Sequence, residues 1–311
     1  MTHLTDKNQI ELLRQLADYR MMPFAQISVL SSKSPRTARR RMKELVDQGL
    51  AEILPVSFSQ GQGRPESVFG ISQKGLTALR SEGALPKSVE FNQVGGMALV
   101  HQAGHQILLN WCRLHLIHLT RTFPRLTSSF LSSNSPFDLD PELKGPAIRD
   151  FVPVTEKAKP DAKCHFVPDG VFILTDSEET KSLLFFLEVD LGSEPLESSE
   201  SGRTDISKKV QLYQTYIESE KYKRYEESWR VKLNGFRVLF VTSTSIRMAS
   251  LCRVVQSIPP SGFIWVTSQE SMFAEGISGT IWAQGGKQDI ARQSILADLC
   301  MKAPIPISAV S

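Results

Sequence analysis

Apolar and polar positions in the first quarter of the chain follow helical spacing and then the alternation of a hairpin. Three helices and two strands are predicted, over residues 7–19, 23–30, 34–48, 50–58 and 67–71. Ser34 is a favourable N-cap for the third helix, Pro35 suits its first turn, and Gly49 ends it. Three helices followed by a hairpin with a Gly-rich tip predict a winged helix-turn-helix.

The third predicted helix separates apolar from cationic residues. On a helical projection, Ala38, Met42 and Leu45 share one side, and the opposite side carries a set of cations and small polar residues. The candidate DNA-binding residues are Ser34, Arg36, Thr37, Arg39, Arg40, Arg41 and Lys43 on this helix and Arg64 at the hairpin tip. A solvated arginine-rich face is the alternative. The position on the third helix of a helix-turn-helix favours contact with double-stranded DNA.

The middle of the chain is predicted to connect two domains. Residues 81–96 are rich in Gly, Pro and polar residues, 97–122 predict a long helix, and 128–145 predict an irregular loop. The expected organisation is a DNA-binding domain over 1–82, a linker with a connecting helix over 83–150, and an α/β domain over 151–311.

Strand and helix patterns alternate in the last half of the chain. A hairpin is predicted from 163–174 and 183–188, and two helix–strand repeats follow, with helices over 206–219 and 246–256 and strands over 236–242 and 263–267. The nearly all-apolar strand 236–242 suits the middle of a sheet. The predicted fold class is α/β in this domain, with a mixed sheet, and α+β for the whole chain.

Three acids stand at the ends of the predicted hairpin strands. Asp169 precedes the first strand, and Glu188 and Asp190 end the second. Residues two apart on a strand share a face, and two neighbouring carboxylates are costly unless a cation lies between them. That cation is either a metal or a basic side chain. In the first case Asp169, Glu188 and Asp190 bind Mg²⁺ while Lys209 orients water. In the second they form an ionic network with Lys208, Lys209 or Arg203.

Charge and composition narrow the possible partners. The formal net charge is +3, from 36 basic and 33 acidic residues. Residues 1–80 hold 12 basic and 7 acidic residues, a net +5, so the remainder carries −2. The net positive charge of residues 1–80 suggests that this part of the chain contacts nucleic acid. The 4 cysteines form no CxxC pair, which favours reduced thiols in the cytoplasm, and neither a secretory signal nor a membrane-spanning run is recognisable.

The order of elements and acids resembles the restriction-endonuclease-like PD-(D/E)XK fold. Pro168-Asp169 is similar to its first acid, and Glu188-Val189-Asp190 to its second acid and the position two residues on. Active members have lysine at that last position, where this chain has Asp190. Some branches carry the lysine on the following helix, where Lys208 and Lys209 lie. Lys209 and Tyr213 are one helical turn apart and are both expected to face the hairpin.

A narrower resemblance covers most of the chain. The winged helix, the long helix, the stretch from Glu188 to Glu194, the Lys-rich helix with tyrosines, and Val241-Thr242 with Arg247 resemble the replication-relaxation family of plasmid and mobile-element proteins. This resemblance implies a role in plasmid replication or DNA relaxation. It does not imply catalysis.

Three functions stay open at this point. The first is a sequence-directed, non-cutting protein that binds duplex DNA, pairs as a homodimer and acts with other replication or mobilisation proteins. The second is a Mg²⁺-dependent endonuclease or nickase that uses Asp169, Glu188, Asp190 and Lys209. The third is a winged helix transcription regulator whose α/β domain binds a ligand or partner. The first is preferred.

Overall fold

The computed structural model describes residues 7–31, 34–58, 66–140, 145–153, 163–196, 205–297 and 302–306. The chain divides into two compact units. Unit 1 draws its residues from Met1–Leu114, Asn134–Ala147 and Pro306–Ser311, and unit 2 from His115–Ser133 and Ile148–Ile305.

The described residues form ten α-helices and thirteen strands. The α-helices are α1 (Lys7–Tyr19), α2 (Phe24–Leu30), α3 (Pro35–Asp47), α4 (Gln73–Ser81), α5 (Phe91–Val94), α6 (Ala103–Thr122), α7 (Ile206–Glu218), α8 (Arg224–Trp229), α9 (Ser245–Ser257) and α10 (Gln269–Glu275). The strands are β1 (Met21–Pro23), β2 (Ala51–Phe58), β3 (Glu66–Ile71), β4 (Leu126–Ser132), β5 (Leu139–Asp140), β6 (Gly145–Pro146), β7 (Asp150–Pro153), β8 (Lys163–Phe166), β9 (Gly170–Asp176), β10 (Lys181–Asp190), β11 (Phe236–Thr242), β12 (Ile264–Ser268) and β13 (Ala283–Gln284). Two 3₁₀ helices, Met97–Gln102 and Lys221–Lys223, complete the set within these residues.

Unit 1 packs its helices around a small antiparallel sheet of order β1-β3-β2. The sequence places α3 as expected: Ser34 caps it by accepting a hydrogen bond from the Thr37 amide at 3.4 Å, and Pro35 occupies the first turn. Ala38, Met42 and Leu45 are buried. The cationic residues of α3 are therefore left on its outer side.

The first part of α6 belongs to unit 1 and buries polar side chains that it satisfies by hydrogen bonds. Asn110 donates to the backbone carbonyls of Tyr19 at 3.1 Å and Met21 at 2.8 Å. Arg113 forms an ion pair with Asp18 at 2.8 Å. These bonds explain how polar residues interrupt an otherwise apolar helix without destabilising it. Among the described residues, no helix combines the length and apolar character that crossing a bilayer requires.

Unit 2 is built on a six-stranded mixed sheet of order β13-β12-β11-β10-β9-β4. Strands β10, β11 and β12 are parallel, and the outer pairings are antiparallel. This confirms the mixed α/β fold class. Helices α7 and α9 cover one face of the sheet, where Phe186, Phe240, Tyr213 and Leu251 share a buried core. Strand β10 is central and buried from Leu184 to Asp190.

Strand β4 differs from the sequence prediction. Residues 128–145 read as an irregular loop, but 126–132 form an edge strand paired with β9. Its serines are mostly exposed or half-buried, and Phe130 stacks on Phe172 with ring centroids 6.0 Å apart. An edge strand covered on one face needs few apolar residues, so its hydrophobic signal is weak.

Candidate nucleic-acid interface and carboxylate site

The outer face of α3 presents several exposed cations. Arg36, Arg39, Arg40 and Lys43 are exposed, and Arg41 is half-buried. Arg40 pairs with Glu44 at 3.0 Å and Lys43 with Asp47 at 3.6 Å, both within the helix. The Arg40 and Lys43 side chains keep 66% and 80% of their surface exposed. Exposed pairs of this kind contribute little and exchange readily for other anions.

The other predicted DNA-binding residues are placed differently. The Ser34 and Thr37 hydroxyls lie 3.0 Å apart at the start of α3, where Ser34 serves as the N-cap. Arg39 lies over the Phe24 ring at 4.7 Å. Arg64, at the predicted hairpin tip, lies outside the described residues.

In unit 2, Glu188 lies near the end of β10 and accepts hydrogen bonds from two side chains on one face of α7. The Tyr213 hydroxyl donates to Glu188 Oε1 at 2.6 Å, and Lys209 Nζ donates to Oε2 at 3.1 Å. Both helical residues face the strand, as their one-turn spacing predicts. Glu188 is only 4% exposed. Burial raises the pKa of Glu188, the Lys209 ammonium opposes that shift, and the nearby Asp169 charge adds to it.

Lys209 also connects α7 to the loop that follows β10. Its Nζ lies 3.0 Å from Glu194 Oε2 and 3.1 Å from Oε1. Burial disfavours the charged lysine, but the surrounding charges of Glu188, Glu194 and Asp169 outweigh burial, so the pKa of Lys209 is raised. The ammonium is therefore positively charged at every physiological pH.

Asp190 has a separate partner on α9. Arg247 donates to Asp190 Oδ2 through Nε at 2.6 Å and to Oδ1 through a terminal nitrogen at 3.1 Å. The Gly192 amide also donates to Oδ1, at 2.8 Å. Gly192 has a φ of +87°, a left-handed conformation that suits glycine. A bidentate guanidinium therefore compensates the buried Asp190 charge.

Asp169 stands just before β9 and bonds to the backbone of β10. Its Oδ2 accepts a hydrogen bond from the Val189 amide at 2.7 Å. Asp169, Glu188, Glu194, Lys209 and Tyr213 all line one cleft of about 530 Å³. Asp190 is not among its lining residues. The cleft thus holds three of the four predicted catalytic residues.

The predicted Mg²⁺ ligands do not converge on one metal position. Within the described residues, no group of three His, Cys, Asp or Glu side chains is arranged to hold a metal ion. Both Glu188 oxygens already accept hydrogen bonds from side chains, and Asp190 is engaged by Arg247. In the structure Asp190 pairs with Arg247 and does not line the cleft of Asp169 and Glu188, and a Mg²⁺ site formed by these three acids stays a prediction. As arranged, this donor set does not fit a divalent ion.

The two like charges on β10 are instead neutralised one by one. Lys209 forms an ion pair with Glu188, as the second of the two alternatives, an ionic network, predicts. Lys208 instead pairs with Asp205 at 3.2 Å. Arg203 lies outside the described residues. Sequence reasoning assigned no role to Arg247. Its contact with Asp190 depends on the parallel pairing of β10 with β11, in which Thr242 lies beside Asp190, and on α9, which begins three residues after Thr242.

The fold and site define a protein with a basic helical unit and a mixed-sheet unit that carries buried carboxylate–cation pairs. The family model for replication-relaxation matches residues 13–231, which is 219 of the 311 residues. The chain belongs to the replication-relaxation family.

Two other comparisons add little. A comparison with curated proteins found no match. The solved structure of the SdaI restriction endonuclease is 13% identical to this chain and matches it with a TM-score of 0.18. The match covers 83% of this chain and 82% of the SdaI chain. A TM-score this low does not establish a shared fold.

Proposed function

We propose that this chain is a sequence-directed duplex DNA-binding protein of a plasmid or other mobile element, acting in replication, DNA relaxation or their control. Membership of the replication-relaxation family supports the biological setting. The exposed cationic face of α3 is the observation that carries the DNA contact. The proposal takes the helices and the β1-β3-β2 sheet of unit 1 as a winged helix, with α3 as its recognition helix.

The exposed side chains of α3 are suited to bind the major groove of DNA and its phosphates. Its apolar side is buried, so the opposite side, with Arg36, Arg40 and Lys43, is directed outward. Arginine side chains offer paired donors to guanine edges, and both arginine and lysine bind phosphates. The weak intrahelical pairs of Arg40 and Lys43 are readily given up for DNA.

Replacing Arg36, Arg40 and Lys43 together with alanine tests this interface. We expect weaker duplex binding, a loss that shrinks as salt rises, and a log–log salt slope reduced by about 3 if each cation contacts one phosphate. Fluorescence anisotropy with a labelled duplex across a salt series measures both quantities.

A single-residue comparison provides the matched control. Arg36→Ala and Lys87→Ala each remove one exposed cation from unit 1, but only Arg36 lies on α3. We expect the first to weaken binding and the second to leave it unchanged. Unchanged binding by the triple variant would refute the recognition-helix assignment.

For unit 2 we propose a DNA-handling scaffold that does not cut. Support comes from the carboxylates: Glu188 is held by Lys209 and Tyr213, and Asp190 by Arg247. Each buried charge is therefore matched by a side chain of the protein itself. A hydrolytic centre needs oxygens that are available to a metal and its water.

Incubation of the full-length protein with supercoiled plasmid and Mg²⁺ or Mn²⁺ tests the scaffold. We expect neither nicked nor linear product. Asp169→Ala is the matched variant, since Asp169 is the first of the predicted catalytic acids and lines the cleft together with Glu188 and Lys209. Metal-dependent nicking that Asp169→Ala abolishes would overturn the scaffold and establish a nuclease.

Three finer features belong to the same proposal. We infer that the protein binds DNA as a homodimer, because winged helix proteins commonly contact paired half-sites. We place it in the cytoplasm, where plasmid DNA and reduced cysteines are both found. Contacts with other replication or mobilisation proteins complete the proposed role.

A further inference from the structure

A second cleft in unit 2 lies at the opposite end of the parallel strands from the carboxylates. It has a volume of about 540 Å³ and is lined by the beginnings of β10 and β11 and by the segment before β11. Leu184 pairs with Phe236 here, whereas Asp190 pairs with Thr242 at the other end. The lining includes Lys181, Lys232 and Arg237 and, among these described residues, no carboxylate. The cleft is therefore distinctly cationic.

Arg237 is the unusual member of this group. Its guanidinium lies over the Trp265 ring at 4.5 Å and donates one hydrogen bond, to the Ile295 carbonyl at 3.4 Å. Within the described part of the chain it forms no ion pair, and burial lowers its pKa. Stacking uses the face of a guanidinium and leaves donors at its edge. A partly buried cation without a counter-charge is costly unless an anion completes it.

Further polar groups line the same cleft as Arg237. Lys232 and Asn234 are exposed on the segment before β11. Lys181 pairs with Glu179 at 3.3 Å, but the two side chains are 75% and 57% exposed. Such a pair contributes little and does not tie up the lysine. Three cations and an amide thus surround one concave surface.

We propose that this cleft binds a phosphate group, with Arg237 as the anchor and Lys232 as the second cation. A guanidinium fork matches phosphate oxygens, and several cations together favour a multiply charged anion over a carboxylate. The phosphate is either that of a small ligand or that of a DNA backbone, since the chemistry of recognition is the same. The inference does not depend on α3 or on the proposed function.

Thermal unfolding of the full-length protein in inorganic phosphate, compared with chloride at equal ionic strength, tests the site. Phosphate is expected to raise the unfolding midpoint of the wild-type protein because it binds the folded state. The rise should be smaller in Lys232→Gln and smallest in Arg237→Gln, where only the general stabilisation that phosphate gives to folded proteins remains. Lys287→Gln, an exposed lysine outside this cleft, should keep the full rise.

Lys232→Gln decides the outcome if Arg237→Gln fails to fold, because Lys232 is exposed and its loss leaves the packing intact. Absence of a phosphate-specific rise in the wild-type protein, or an equal rise in Lys232→Gln, would overturn the proposal. The alanine triple variant of α3 should retain the phosphate effect, so failure of the DNA interface is distinguishable from failure of this site.

Duplex titrations then identify the source of the phosphate. If Lys232→Gln lowers duplex affinity and reduces the salt slope by about 1, the site contacts a DNA backbone. If duplex affinity is unchanged while the phosphate effect is lost, the site serves a small phosphorylated ligand. Either result supports the phosphate site and assigns its occupant.

Discussion

Removing the Lys209 charge should destabilise unit 2 in a strongly pH-dependent way. Lys209→Met keeps the aliphatic stem that packs against the cleft but leaves Glu188 without its ammonium. Glu188 is 4% exposed, and among the described residues its other side-chain hydrogen bond comes from the Tyr213 hydroxyl. Losing one partner of a buried ion pair costs about 3–5 kcal/mol. Because the Lys209 side chain is 23% exposed, the lower end of that range applies.

Proton uptake sets an upper limit on the loss. Glu188 can avoid an uncompensated charge by binding a proton, which for an ordinary pKa of 4.5 costs about 3.4 kcal/mol at pH 7. At pH 5 the same proton costs about 0.7 kcal/mol. The lost contact with the half-exposed Glu194 adds under about 1 kcal/mol at either pH. We therefore expect a loss of about 3 kcal/mol at pH 7 and about 1 kcal/mol at pH 5.

The sign follows from proton binding. In the variant, folded Glu188 holds a proton that the unfolded chain releases above pH 4.5, so its stability falls relative to wild type as pH rises from 5 to 7. Urea unfolding followed by tryptophan emission at the two pH values measures the difference. Trp229, Trp265 and Trp282 report on unit 2.

Lys208→Met is the matched control, because Lys208 is the neighbouring lysine, is 44% exposed, and pairs with Asp205 at the start of α7. It should cost under about 1 kcal/mol at both pH values. Equal losses for Lys209→Met at pH 5 and pH 7 would refute the assignment of Lys209 as the counter-charge of Glu188. A loss below about 1 kcal/mol at pH 7 would do the same.

Three further substitutions probe other parts of the fold. Burial lowers the pKa of His115 to about 3, so at pH 5 the residue must release a proton when the protein folds. As the pH falls from 7 to 5, the free energy of unfolding of His115→Phe should therefore rise by about 2 kcal/mol relative to wild type, measured by urea unfolding. Gly75→Ala would place a Cβ 2.1 Å from the Leu50 carbonyl oxygen and should cost about 2 kcal/mol or more, whereas Gly262→Ala, with open space around it, should change the thermal midpoint little. Asp190→Asn keeps an acceptor for the Gly192 amide but loses the charge opposite Arg247, and should cost about 2 kcal/mol with duplex affinity unchanged; reduced affinity would contradict a purely structural role.

The sequence predicted the helices and strands that have strong periodicity or clear caps. Ser34 and Pro35 located the start of α3, and the apolar run 236–242 located β11 as an inner strand. The edge strand β4 was not predicted, because its serines interrupt the apolar pattern by which a strand is recognised. Its pairing with β9 depends on a partner some 40 residues away, which local pattern does not encode.

For the site, the sequence indicated both members of the Glu188–Lys209 pair but only the acidic member of the Asp190–Arg247 pair. Lys209 and Tyr213 were expected together because they are one turn apart on α7, and both contact Glu188. Arg247 was not expected as a partner of Asp190, because the two are brought together only by the parallel pairing of β10 with β11. Residues whose proximity depends on sheet order are the ones that sequence reasoning misses.

The stretch from Glu188 to Glu194 has a structural explanation that does not require catalysis. Glu188 and Asp190 lie on one face of β10, and each fixes a different helix through a cation, α7 through Lys209 and α9 through Arg247. Glu194 then joins the two, since its carboxylate contacts Lys209 and its backbone carbonyl accepts a hydrogen bond from Arg247 at 2.6 Å. Gly192 has a left-handed backbone conformation, and the turn it forms lets Glu194 contact both Lys209 and Arg247. A strand end, two helices and one loop are held together by five charged side chains and this carbonyl. Conservative removal of any one charge should therefore loosen the other contacts before it affects any reaction at the cleft.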